Sequence, residues 1–144
     1  MDADIRQMFR TAIAHSDAGV MRHALERLFA HGDAAALSAE AEYELRDEAY
    51  VMEMPQSGER IRGRDDMRSM QEAFPNPPAI TLRRVTGAGR MWVIEGVNDY
   101  GDGDTWHVVV VFEFTDDGRI VRDTRYYAKP FDPPDWRAAW VERM

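Results

Sequence analysis

The chain contains no cysteine, which excludes a disulfide framework, a thiol nucleophile, an iron–sulfur cluster and thiolate-bound zinc. Basic residues are outnumbered: 18 Lys and Arg stand against 26 Asp and Glu, a formal charge of -8. That excess opposes the phosphate attraction behind nonspecific nucleic-acid binding, so neither nucleic acid nor an anionic membrane is an expected partner. No apolar run approaches the roughly 20 residues of a spanning helix. The amino terminus, Met1-Asp2-Ala3-Asp4, lacks the basic flank and apolar stretch of a secretory signal, and a cytoplasmic location is expected. Of the four histidines, His15, His23 and His31 recur along two helices and a turn without converging, so no metal and no cofactor is expected. Gly87-Ala88-Gly89 lacks the lysine of a phosphate loop. Asp99 to Asp104 lacks the closing Glu of an EF-hand and reads as a solvated turn.

What is present suffices for one domain: 144 residues, of which 44% are apolar. A chain of this size buries roughly 68 to 70% of its unfolded surface without staples. Ile5, Met8, Phe9 and Ala12 predict a first helix over Asp2 to Ala14. Met21, Leu25, Leu28 and Phe29 predict a second from Asp17, stopped by Gly32. Asp33 is positioned to cap a third, running to about Arg46 with Leu37, Ala41 and Leu45 on one side.

From Ala49 the pattern changes to strands. Ala49 to Met54 and Glu59 to Arg62 flank the turn Pro55-Gln56-Ser57-Gly58, and Gly63 ends the returning arm. A helix from Asp65 carries Met67, Met70 and Phe74 before Pro75-Asn76-Pro77-Pro78 blocks it. Four long strands follow, Ile80 to Thr86, Arg90 to Tyr100, Trp106 to Thr115 and Arg119 to Phe131, joined by short Gly- and Asp-rich turns. Hairpin connections of this kind predict an antiparallel, strongly bent sheet. A final helix with Trp136 and Trp140 four residues apart is expected to pin itself to the sheet. The fold class is α+β, a curved sheet with helices on its concave face and a pocket between them. Val109, Val111 and their neighbours leave the convex face too apolar for water, and a homodimer through that face is expected, with His107 in the contact.

The segments Met54-Pro55-Gln56-Ser57-Gly58-Glu59-Arg60-Ile61-Arg62-Gly63 and Phe112-Glu113-Phe114-Thr115-Asp116-Asp117-Gly118-Arg119-Ile120, with Tyr126-Tyr127, Pro130-Phe131 and Trp136-Arg137, carry a resemblance. Over about residues 18 to 144 the chain resembles SnoaL-like proteins of the nuclear transport factor 2-like superfamily. The resemblance implies a single cone-shaped α+β domain over 1–144. That superfamily includes polyketide cyclases, ketosteroid isomerases, epoxide hydrolases, dehydratases and noncatalytic binding domains, so fold alone does not name an activity.

Carried over residue by residue, the resemblance implies that the usual chemistry is lost. The isomerase base falls at Met54, its oxyanion Asp near Val110 and its Tyr near Leu25, and none of these side chains exchanges a proton. The epoxide hydrolase Arg and Asp fall at Gly96 and Asn98, and the cyclase tail reads Asp123-Thr124-Arg125-Tyr126-Tyr127-Ala128 with both acids replaced.

Taking the family's inward register, alternation puts Trp92, Ile94, Gly96, Asn98 and Tyr100 on one face, with Trp106, Val108, Val110, Phe112 and Phe114. The last strand adds Val121, Asp123, Arg125 and Tyr127. Asp123 and Arg125 read either as an ion pair that offsets its own desolvation or as the polar end of a ligand site. On the second reading, Arg125→Ala or Asp123→Asn is expected to alter ligand retention more than folding. Met52, Met54, Met67 and Met70 suit adaptable core filling, or shaping around an irregular apolar ligand. The candidate ligand-binding set is Arg125, Asn98, Tyr100, Trp92, Trp106, Met54, Val110 and Phe112. The expected function is binding of a small hydrophobic molecule. The alternative is a cyclase-, isomerase- or dehydratase-type enzyme acting on a hydrophobic cyclic substrate, with Asp123 or a neighbouring group as base and Tyr127 or Tyr100 as acid or oxyanion donor. A pure interaction module is the third reading.

Overall fold

The computed structural model describes residues 2–30, 37–74 and 77–144, with side chains from Ile5 onward. The expected Gly32 stop and Asp33 cap, His31 and the Pro75-Asn76 break lie outside the described residues. Two helices come first, α1 (Asp2–His15) and α2 (Ala18–Leu28). Asp17 caps α2 by accepting the Val20 N–H at 3.0 Å. The third helix, α3 (Ala39–Leu45), starts later than expected. Ser38 is its cap, accepting the Ala41 N–H at 3.1 Å.

Strand β1 (Arg46–Met54) follows α3 directly, turns at Pro55 to Gly58 and returns as β2 (Glu59–Arg62). Gly63 adopts φ 86 and admits α4 (Arg64–Ala73). The rest is β3 (Ala79–Ala88), β4 (Met91–Asp99), β5 (Thr105–Phe114) and β6 (Ile120–Ala128). The sheet order is β2-β1-β6-β5-β4-β3. Every neighbouring pair is antiparallel as expected except one: β1 runs parallel to β6, because the chain reaches β6 only after crossing the sheet through α4 and the β3–β6 meander.

The strands alternate as expected on β4 and β5, with Trp92, Ile94, Val108, Val110, Phe112 and Phe114 buried on the concave side. On β6 the register differs. A shift between Glu113 and Phe114 pairs Phe114 with Ile120 and turns Ile120 inward in place of Val121. Helices α1 and α2 fill one end of the concave face. Phe9 packs on Phe114 with ring centroids 5.0 Å apart, and Phe29 stacks on Phe112 at 6.1 Å. Ile5, Ala12, Met21, Ala24 and Leu25 complete this closed end.

The opposite end is framed by α3 and α4 and stays open. A close approach shapes that end: a Cβ at Gly96 would stand 2.9 Å from the Thr81 carbonyl of β3. The position the resemblance assigns to an arginine therefore has no room for any side chain, and β3 shifts register beside it between Leu82 and Arg84. On the convex face His107 is exposed and Val109 and Val111 are half-buried. The expected final helix is a correction. Only one 3₁₀ turn, Asp135–Arg137, forms, and Trp136 and Trp140 are 74% and 79% exposed. Pro130, Pro133 and Pro134 hold the preceding stretch out of regular structure, and the two rings are left largely in solvent.

Candidate functional site

The open end holds a cavity of about 740 Å³ between α3, α4 and the strands. Its walls are mainly apolar, with Met52, Met54, Met67, Met70, Phe74 and Ile80 among them. Of the residues expected to bind ligand, Arg125, Asn98, Tyr100, Trp106 and Met54 line it, together with Tyr127. Trp92, Val110 and Phe112 share that face of the sheet but do not line the cavity. They lie at the end that α1 and α2 fill, and Trp92, with no exposed surface, donates its Nε1 proton to the Gly89 carbonyl at 2.7 Å.

Asp123 lies beneath the cavity, not in its lining, with 1% of its surface exposed. Arg125 Nε donates to its Oδ1 and Arg125 Nη2 to its Oδ2, both at 2.9 Å. The Tyr50 hydroxyl donates to Oδ2 at 2.8 Å. This bidentate pairing fixes both carboxylate oxygens. Burial works against the Arg125 charge, yet the charge and hydrogen bonds of Asp123 prevail and raise Arg125 above its ordinary value. Burial first, and then the charge of Asp123, push the Tyr50 phenol well above the usual tyrosine range. The triad is a structural base on which Arg125 presents its guanidinium to the cavity.

The mouth is built from β4, β5 and α4. The Asn98 Nδ2 donates to the Tyr100 hydroxyl at 3.3 Å, and Trp106 Nε1 donates to Asp104 Oδ1 at 2.9 Å. The Asp99 to Asp104 turn is held by its own bonds, Tyr100 N–H to the Asp104 carbonyl and Gly101 N–H to Asp99 Oδ1, each 2.9 Å. Across the opening, the Tyr43 ring lies between the guanidinium groups of Arg64 and Arg68, 4.3 and 4.2 Å from its centroid. The Tyr43 hydroxyl donates to Asp65 Oδ1 at 2.7 Å, tying α3 to α4. That bond to Asp65, followed by desolvation, raises the Tyr43 phenol above its ordinary value.

One lining residue was hidden in the sequence. Arg46, at the junction of α3 and β1, is 4% exposed and opens on the cavity. In the sequence it marked only the approximate end of the third helix; in the fold its guanidinium lies over the Tyr50 ring of β1 and reaches Gln71 of α4. Gln71 and Tyr43 were likewise missed, because α3 and α4 meet only in space. The four methionines whose shape-filling role was open all line the cavity. No group of three His, Asp or Glu able to hold a metal ion occurs among the described residues.

Residues 43–123 match the SnoaL-like domain model. The chain is 33% identical to a protein of unknown function from Burkholderia xenovorans LB400 described as NTF-2 like, covering 86% of this chain and 94% of that one at a TM-score of 0.72. It is 29% identical to a protein from Kribbella flavida DSM 17836 described only provisionally as a ketosteroid isomerase, covering 74% and 77% at a TM-score of 0.67. An epoxide hydrolase from M. tuberculosis described as LEH-like shares the fold at 21% identity, covering 62% of this chain and 69% of that one with a TM-score of 0.53. No curated protein matches the chain. A family match over more than half the chain, on a six-stranded curved sheet whose concave side holds helices and an open cavity, makes this chain a member of the SnoaL-like family within the nuclear transport factor 2-like superfamily.

Proposed function

We propose that the protein binds a small, mainly apolar molecule in the cavity between α3, α4 and the sheet, and that it does so without the family's usual acid–base chemistry. The observation that carries this reading is the division of labour in the site. The cavity walls are mainly apolar, rich in methionine and aromatic side chains, while the buried carboxylate, Asp123, is locked by Arg125 and Tyr50 beneath them. The family resemblance assigns Met54, and positions near Val110 and Leu25, to the places where an isomerase needs groups that exchange protons. Native mass spectrometry of protein purified from its own host is the test. The expected result is a retained small molecule released on denaturation. Protein that carries none and shows no change in Trp106 fluorescence with hydrophobic probes would refute the reading.

A catalytic reading, with Asp123 as base and Tyr127 or Tyr100 as donor in a cyclisation, isomerisation or dehydration, draws on the likeness to the Kribbella flavida protein. It requires Arg125 to release Asp123 and expose it to the cavity. The same proposal places the protein in the cytoplasm as a homodimer through the convex face of β4, β5 and β6. The absence of cysteine suits a reducing compartment, and the exposed Val93 and Tyr126 suit an apolar contact.

A further inference from the structure

Two polar atoms at the cavity are buried without a partner among the described residues: Arg46 Nε and Asn98 Oδ1. Each belongs to a residue that is 4% exposed and lines the cavity. A buried donor or acceptor left unmade costs about 1–3 kcal/mol, and more where it carries charge, so such groups are uncommon without a reason.

Arg46 is the more demanding of the two. A guanidinium offers five N–H donors in one plane. The hydrogen bonds it makes run from Nη1 alone, to the Glu42 carbonyl and to Gln71 Oε1, both at 3.4 Å and so at the outer limit. Its other partner is the Tyr50 ring, 5.4 Å from the centroid. Although Glu42 stands four residues earlier, its carboxylate forms no ion pair with Arg46, and no other described carboxylate does. The neighbouring arginines are all neutralised. Arg125 has Asp123, Arg68 has Glu40 at 2.8 Å, and Arg64 has Glu44 at 3.9 Å. Glu42, Glu72 and Asp104 also line the cavity, and none of them pairs with Arg46. One buried cation therefore borders the space a ligand would fill with no carboxylate of its own and with its Nε unpartnered.

Building on the reading that the cavity holds a small apolar molecule, we propose that this molecule is an amphipathic carboxylic acid whose carboxylate pairs with Arg46. The Arg46 fork supplies the charge-assisted bonds, and the methionines of β1 and α4 cover the apolar body. Asn98 meets a hydroxyl on the ligand, a group that serves either end of the carboxamide because it both donates and accepts. A carboxylate is preferred to a phosphate because the acidic residues of the rim disfavour a ligand of higher negative charge.

The test uses 2-naphthoate and its neutral isostere 2-naphthamide as probes, titrated calorimetrically into the full chain. The wild type is expected to bind the acid at least tenfold more tightly than the amide. Arg46→Gln is expected to remove that preference while binding of the amide stays within about threefold, and Arg46→Lys to keep part of it. Equal affinity of the wild type for the two probes would overturn the carboxylate assignment while leaving the apolar-ligand reading intact, and this comparison needs no variant to fold. A tenfold preference that persists in folded Arg46→Gln would overturn the role of Arg46. Failure of both probes to bind the wild type would remove the apolar-ligand reading for bodies of this size, and the inference with it.

Discussion

Asp123 lies where almost no water reaches, and Arg125 is the cation paired with it. Arg125→Ala leaves a buried carboxylate with only the Tyr50 hydroxyl, and a loss of about 3–5 kcal/mol in unfolding free energy is expected from urea denaturation. This reverses the expectation from sequence that such a change would act on ligand retention more than on folding. A variant with the wild-type midpoint would refute it. Tyr50 gives the same cluster a pH signature. Its phenol is raised by burial and then by Asp123, so the folded state holds that proton more tightly than the unfolded chain does. The stabilisation is complete below the ordinary tyrosine value of about 10 and is lost as pH rises beyond it. Tyrosinate absorbance should show Tyr50 ionising only as the protein unfolds, and Tyr50→Phe should remove one tyrosine from that late step. Alternation along the strands made Arg125, Tyr127, Asn98, Tyr100 and Trp106 legible as one face, and Met54 entered separately through the adaptable shape of methionine. It did not reveal depth, because how far α1 and α2 reach along that face is set by Phe9 and Phe29 packing on Phe114 and Phe112. Trp92, Val110 and Phe112 therefore looked like ligand contacts and are core.

At the level of elements, α1 is tied to the turn between β5 and β6 by Asp117. Arg6 Nη2 and Arg119 Nη1 donate to its Oδ2 at 2.8 and 2.9 Å, and Arg10 Nε donates to its main-chain carbonyl at 2.9 Å. The Thr115 hydroxyl first, and then, against some desolvation, Arg119 and Arg6, hold the Asp117 carboxyl below its ordinary value. A depressed value contributes stability above the unfolded carboxylate range near pH 4, and that contribution disappears as pH falls through the lower folded value. Asp117→Asn should therefore lower unfolding free energy by about 1 kcal/mol at neutral pH, a modest figure because the side chain is half-exposed and screened. The gap between variant and wild type should close in acid, and a gap independent of pH would contradict the assignment. The end of α4 acts differently, since Met70 and Phe74, the residue that caps the helix, are 39% and 46% exposed over the cavity mouth. Phe74→Ala is expected to leave stability within about 0.5 kcal/mol, yet to weaken 2-naphthoate binding several-fold in the same calorimetric titration. Unchanged affinity would remove α4 from the site. Helix and strand order was legible because periodicity is local, and the β2 arm was read to its end. The parallel β1–β6 pair and the inward turn of Ile120 were not, since both depend on which strands meet after the chain has crossed the sheet.

For the whole molecule, the question is what covers the convex face. Charge is not spread evenly over it. Towards β2 the outward side carries Glu53, bridged by Arg60 at 2.7 Å and Arg122 at 2.8 Å, a polar surface that water serves well. Towards β4 the outward residues are Val93, Val97, Val109, Val111 and Tyr126, with His107 among them. The sequence already separated these residues from the core by parity, and the same parity failed at the carboxyl end, where Trp136 and Trp140 find no surface on their own chain. A contact between two copies across β4, β5 and β6 would be isologous, so each residue near the two-fold axis occurs twice in it. One substitution then acts twice: Tyr126→Glu would bring two carboxylates into an apolar contact from which water is excluded, an arrangement that costs several kcal/mol. Sedimentation at low micromolar concentration should give the wild type about twice the chain mass of 16.6 kDa and Tyr126→Glu the mass of one chain. Because Tyr126 is 43% exposed on one chain, the variant should keep its fold and its probe binding while losing its partner. A wild type that sediments as a single chain would refute the convex-face dimer.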